Sequence, residues 1–293
     1  MTDQQTPDRL APRPTSAPPN GRPVRKDEIE LPDRGLYVES WLPERRSRRK
    51  PILFVHGELG GSWVWERYLH HFASRGWEGH ALNLRNHYWS QTADPVTLDI
   101  ASYTEDVVAA MERLGPGTVA VGHGLGGLLV LKAIERQPVS GYVLLAPELP
   151  KDIRPSVRPH EVRDVPDSYG RAALGWETLP EKLMREHRDL TIADILRIQH
   201  MLGQKAFESG RAKRQVLQGV PVDRASLPDV PRLVIGAGLD TYVPEPDVER
   251  LATWLDAVYE PFGAHSHFGL VLGEQSYLQV AETVRAFLEA NRL

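Results

Sequence analysis

From about residue 27 onward the chain alternates short apolar runs with longer stretches in which apolar side chains recur every three or four positions. The runs ILFVH (52–56), EGHALNLR (78–85), TVAVGH (118–123), GYVLLAP (141–147), PRLVIGA (231–237) and AVYEPFG (257–263) read as strands. The stretches WVWERYLHHFASRG (63–76), ASYTEDVVAAMERLG (101–115) and GGLLVLKAIERQ (126–137) carry helical spacing. The first two stop at a glycine suited to a left-handed cap. Strands crossed over by helices predict an α/β fold with a mostly parallel central sheet flanked by helices. Between Pro150 and about Leu227 the strand signal stops. Charged, helix-prone stretches such as LPEKLMREH and TIADILRIQHMLGQKAF take over, which predicts a helical cap (150–227) inserted into a core of residues 27–149 and 228–293. Residues 1–26 hold Pro7, Pro12, Pro14, Pro18, Pro19 and Pro23 among polar neighbours, too little apolar surface to offset ordering, and are expected to form a disordered tail.

Composition changes this picture only by exclusion. A formal charge of -4, with both signs mixed along the 293 residues, offers no basic face for nucleic acid. The densest basic stretch, Arg45, Arg46, Arg48, Arg49 and Lys50, is short and reads as a solvated loop. With no cysteine, thiolate catalysis, thiolate metal sites and disulfides drop out. The N-terminal stretch lacks the apolar core of a signal peptide, and no apolar run approaches the length of a membrane span, so a cytoplasmic location is expected. There is no repeat at solenoid period. Oligomeric state is left open.

The chemistry concentrates in TVAVGHGLGGLLVLKAIE, where Gly122, Gly124, Gly126 and Gly127 lie between a strand and a helix. A nucleophile presented as G-x-Nu-x-G sits on a strained strand-to-helix turn whose small neighbours let strand and helix pass closely. Here the pattern runs Gly122, His123, Gly124, Leu125, Gly126. Val55-His56-Gly57 follows the first strong strand, GLDTYVP carries Asp240 after a later one, and AHSHFGLVLGE carries His265 and His267 before the last helix. Together these motifs resemble the α/β-hydrolase superfamily, and within it the capped esterase and lysophospholipase-like branch, over roughly residues 50–148 and 229–290. The resemblance implies backbone N–H groups of Glu58 and Leu125 as an oxyanion hole, Asp240 as the acid, His267 as the base and Gly124 at the nucleophile position. The departure is at the centre, because glycine has no side chain to attack a carbonyl. Asn86 and Tyr88 also stand where the family commonly has glycines.

Each candidate has a plainer reading. Asp240, before Val243-Pro244, could stabilise a turn. Glu148 is the fallback acid, otherwise a surface residue at the cap hinge. His265 and His267, two apart, would point to opposite sides of an extended loop, and His267 before Phe268-Gly269 is preferred. His123 and His56 are expected to hydrogen-bond the scaffold. Ser62 is a poor substitute nucleophile, and Trp63 and Trp65 belong more naturally to the core than to a pocket. No metal is expected, since His265-x-His267 lacks further ligands at suitable spacing, and no cofactor is expected.

Four functions are compatible with these residues. The first is a non-catalytic relative that keeps pocket and cap for binding a small apolar or ester-like molecule or a protein partner. The second is an enzyme using His267, Asp240 and the oxyanion hole without a serine, as a hydrolase or lyase. The third is a serine-to-glycine variant of an ordinary serine hydrolase. The fourth is an NAD-binding domain, because Gly122-x-Gly124-x-x-Gly127, with Glu148 about twenty residues on, is a literal dinucleotide fingerprint.

Overall fold

The computed structural model describes residues 24–45, 47–204 and 207–293. In chain order the elements are β1 (Val24–Leu31), β2 (Leu36–Pro43), β3 (Ile52–Val55), α1 (Glu66–Ala73), β4 (Gly79–Asn83), α2 (Ile100–Leu114), β5 (Val119–His123), α3 (Leu125–Ile134) and β6 (Gly141–Leu145). There follow α4 (Pro159–Arg163), β7 (Ser168–Tyr169), α5 (Pro180–Glu186), α6 (Ile192–Met201), β8 (Glu208–Ser209) and α7 (Gly210–Gln218). The chain closes with β9 (Arg232–Ala237), α8 (Glu245–Leu255), β10 (Val258–Phe262) and α9 (Ser276–Ala290).

An eight-stranded sheet in the order β1-β2-β4-β3-β5-β6-β9-β10 forms the centre. Its pairs are parallel from β4 through β10, while β1 with β2 and β2 with β4 are antiparallel. Alternation along the strands divides the core. Ile52 and Phe54 of β3 pack with Leu69 and Phe72 of α1 and Val284 of α9. Leu53 and Val55, pointing the other way, pack with Val107 of α2, Leu128 of α3 and Leu251 of α8. Every residue of β3, β5 and β6 is buried, which is why these strands read as unbroken apolar runs. The stops expected for the first two helices are present: Gly76 and Gly115 take φ 96° and 92°.

Two sequence expectations need correction. Strand β1 starts at Val24, inside the stretch assigned to the tail, and pairs along its whole length with β2. Neither strand stood out, since β1 is a charged edge strand with five of its eight residues exposed. Residues 1–23 of the proposed tail lie outside the described residues. The regular structure of the insertion between β6 and β9 is mostly helices joined by long loops, but it also contains the antiparallel pair β7–β8. Among the described residues, no helix is long and apolar enough to cross a membrane.

Candidate active site

The parallel strands β3, β5, β9 and β10 all deliver their C-terminal ends to one edge of the sheet, where open α/β sheets bind ligands. Gly124, the residue joining β5 to α3, has φ 55° and ψ -123°, a conformation that costs a side-chain-bearing residue appreciable strain. Its neighbours explain the glycine cluster without a nucleotide. A Cβ on Gly122 would lie 2.5 Å from the Gly126 carbonyl oxygen, one on Gly126 would collide with the Val55 carbonyl, and one on Gly127 would come within 2.5 Å of Pro147. Gly124 is different, for a Cβ there meets only His267 Nε2 at 3.2 Å and its ring carbon at 3.5 Å before reaching Gly57. Three glycines are imposed by packing. At Gly124 a Cβ would meet no backbone closer than Gly57, only the edge of the His267 ring, and the constraint there is the backbone conformation.

His267 lies in the loop between β10 and α9, and its Nδ1 is 2.7 Å from Asp240 Oδ2. The Asp240 side chain is fully buried, and its Oδ1 accepts the N–H groups of Tyr242 and Val243 at 2.7 and 2.9 Å. It therefore both shapes its turn and faces the histidine, so the two sequence readings are compatible. His265 points elsewhere, with Nε2 3.3 Å from the Ser276 carbonyl and its ring against Phe262. His123 holds the histidine loop: its Nε2 donates to the His267 carbonyl at 3.0 Å, and burial beside His267 keeps its pKa far below the ordinary value. His56 accepts the Leu84 N–H at Nε2 and donates from Nδ1 to the Gly57 carbonyl, with burial and the nearby His87 pushing its pKa down to about 3. Both are neutral scaffold groups.

The Leu125 N–H opens α3 and has no acceptor within that helix. Among the described residues neither it nor the Glu58 N–H is engaged by a protein acceptor. Ser62 is committed to structure, its hydroxyl donating to Glu39 at 2.8 Å. Trp65 is buried in the core against Phe54 and Tyr68, and Trp63 packs beside Tyr88. Asn86 and Tyr88 keep the left-handed backbone that glycine would adopt freely, with φ 63° and 47°. The Tyr88 hydroxyl donates to the Met201 carbonyl in α6, tying that loop to the insertion.

Gly57, Gly124, Leu125 and His267 line a cavity of about 150 Å³. The insertion contributes Leu174, Leu202, Lys213 and Leu217 to its walls. The lining is not only apolar. Glu58, Glu148, Arg154 and Lys213 also face it, with Lys213 Nζ 2.7 Å from Glu58 and 3.5 Å from Glu148, and Arg154 Nη1 2.8 Å from Glu148. Glu148 is thus paired with cations rather than with His267. Sequence reasoning did not find Arg154 or Lys213, because both lie in the insertion, where no motif distinguishes them from neighbouring charged residues.

The sequence profile of the alpha/beta hydrolase fold matches residues 50–194. Esterase PIR7B of Oryza sativa subsp. japonica is 33% identical over 113 residues, which is 36% of this chain and 41% of the rice protein, so the match spans well under half of that relative. Among solved structures, a bromoperoxidase from Bacillus anthracis aligns with TM-score 0.68 and 14% identity over 90% of this chain and 100% of its own. A putative aryl esterase from Burkholderia cenocepacia aligns with TM-score 0.65 and 19% identity over 90% and 100%. At these identities the structural likeness concerns the fold. The chain is a member of the α/β-hydrolase superfamily.

Proposed function

We propose that this chain binds a small ester-like carbonyl compound beside Gly124, and that His267, oriented by Asp240, acts there as a general base without a serine nucleophile. The observation that carries the reading is the placement of His267: Nδ1 is bonded to Asp240 at 2.7 Å, while Nε2 stands 3.2 Å from the Cβ position of Gly124. A hydroxymethyl group omitted at that point leaves space on the order of one water, ~30 Å³. A water there gives its proton to His267 Nε2 as its oxygen bonds to the ligand's carbonyl carbon. The resulting oxyanion accepts the N–H groups of Glu58 and Leu125. Its collapse breaks the bond to the alcohol, which takes the proton back from Nε2. Asp240 keeps Nδ1 protonated throughout and offsets the imidazolium charge. The esterase relatives support an ester as the carbonyl compound, and the insertion serves as the cap over it. A ligand with an acidic C–H would meet the same base and give elimination instead.

A second reading, ligand binding without turnover, is favoured by the lining itself, which remains a formed cavity although the attacking side chain is missing. Hydrolysis of a panel of short p-nitrophenyl esters by the chain and by its His267→Ala and Asp240→Asn variants separates the two. General-base action requires turnover above buffer that both substitutions remove. Turnover equal to buffer throughout, with ester binding retained, leaves the binding reading.

A further inference from the structure

The charged wall of the cavity comes from four places in the chain: Glu58 after β3, Glu148 after β6, Arg154 in the turn that follows, and Lys213 in α7. It adjoins the elbow directly, since the Glu148 N–H donates to the Gly124 carbonyl at 3.0 Å. Charges taken out of water cost more than apolar residues of the same volume would, so this wall is a poor way to hold an apolar ligand. Not all of the donors in this wall are spent on its carboxylates. Arg154 spends Nη1 on Glu148, and its Nε is a buried donor with no partner among the described residues. Lys213 has three N–H bonds and shares them between one close carboxylate and one at 3.5 Å. An unpartnered buried donor calls for an acceptor from outside the protein. Leu174, Leu202, Leu217 and Phe268 supply the apolar part of the lining.

We propose that the cavity takes a small organic carboxylate, whose carboxylate group is held by Lys213 and Arg154 and whose hydrocarbon part lies against Leu174, Leu202 and Phe268. The proposal rests on the cavity beside Gly124 being the ligand site, and it does not depend on His267 acting as a base. The ligand takes the place of the Glu58 carboxyl on Lys213, and Glu58 takes up a proton. Two observations favour Glu58 over Glu148 as the group that yields. Burial, with the Glu148 and Glu208 carboxylates nearby, pushes the Glu58 pKa up against the pull of Lys213, whereas Lys213 and Arg154 overcome burial and hold Glu148 down. Glu58 is bonded to one cation, Lys213, whereas Glu148 is bonded to both Lys213 and Arg154. With Glu58 protonated, two cations face one wall carboxylate. His123, Tyr242 and His267 are the other titratable groups lining the cavity, with Asp240 behind His267.

The test is calorimetric titration of the full chain with butyrate and phenylacetate beside their neutral amides, each in two buffers of different ionisation heat. The expected result is carboxylate binding about tenfold or more tighter than amide binding, with proton uptake on binding and affinity falling as pH rises. Lys213→Met and Arg154→Leu each remove the preference, and Lys213→Arg retains it. Should Lys213→Met fail to fold, as judged by circular dichroism, Arg154→Leu carries the comparison. Amides binding as tightly as the acids, neither class binding at millimolar concentration, or a preference that survives both substitutions would each overturn the proposal. Ester turnover lost with His267 tests the other reading separately.

Discussion

The backbone N–H of Leu59 donates to the Glu208 carboxylate at 2.6 Å, joining β8 of the insertion to the loop that carries the Glu58 N–H. The same carboxylate is 2.9 Å from His87 Nε2 and accepts the Tyr103 hydroxyl at 3.2 Å. Leu59 itself has φ 55°, so this bond helps hold a strained backbone one residue from the proposed oxyanion donor.

Glu208→Gln is expected to cost on the order of 3 kcal/mol of stability, because it breaks a buried pair. Burial alone would raise the Glu208 pKa, but His87 and the Leu59 N–H outweigh it and bring it to about 2 from 4.5. Its contribution is therefore present above about pH 4.5 and lost as pH falls through about 2. Burial alone would lower His87, and Glu208 outweighs that, so its contribution is present below 6.5 and lost as pH rises through its elevated folded value. Denaturant melts across pH should show the difference between the chain and Glu208→Gln largest between about pH 4.5 and 6.5. A difference that does not vary with pH would refute the pairing as its source.

Gly124→Ser is expected to create or sharply raise hydrolysis of short activated esters if His267, Asp240 and the N–H groups of Glu58 and Leu125 act in the proposed roles of base, acid and oxyanion donors. Loss of the nucleophile in a serine protease costs about a millionfold in turnover, which leaves a wide window for restoration. The same change should lower stability by roughly 1–3 kcal/mol, given φ 55° at Gly124. Gly124→Ala is the control, with a similar stability loss and no new activity. A folded Gly124→Ser protein no faster than the glycine form across acyl chain lengths would show that His267 is not aligned for a serine.

Fluorophosphonate probes are expected to leave the unaltered chain unlabelled and to label Gly124→Ser. Ser62, whose hydroxyl is held by Glu39, offers no activated oxygen. Mass-spectrometric detection of an adduct on Ser62 would contradict this.

Gly126→Ala is expected to prevent folding or to destabilise strongly, because its Cβ would drive into the Val55 and His56 carbonyls. If packing accounts for the G-x-G-x-x-G spacing, NAD(H) should give no thermal shift with the unaltered chain. A saturable shift would restore the dinucleotide reading.

The parts of the site legible in sequence were those whose chemistry is tied to a strand end. Gly122, Gly126 and Gly127 announce close passage of strand and helix, and Asp240 follows β9 closely enough to be read off the apolar run before it. His267 against His265 was harder, because two loop residues of one type differ only in where the loop turns. Here the loop bonds to Asp189 through the Ser266 N–H at 3.0 Å, a contact 77 residues distant in sequence. Lys213, Arg154 and Glu208 were not legible for the same reason. Each acts through partners far along the chain, and helical periodicity places residues on a face without saying what that face meets. β1 was obscured by its exposure, as a charged edge strand lacks the apolar run that marks its neighbours.

The insertion bonds to both chemical loops: Glu208 to Leu59, Asp189 to Ser266 and Asp194 to the Glu274 N–H at 3.2 Å. It is therefore not an interchangeable module. A chimera that grafts another protein's insertion between β6 and β9 would have to transplant these three carboxylates in register, or it would exchange ligand preference for a slack histidine and a slack oxyanion loop at once.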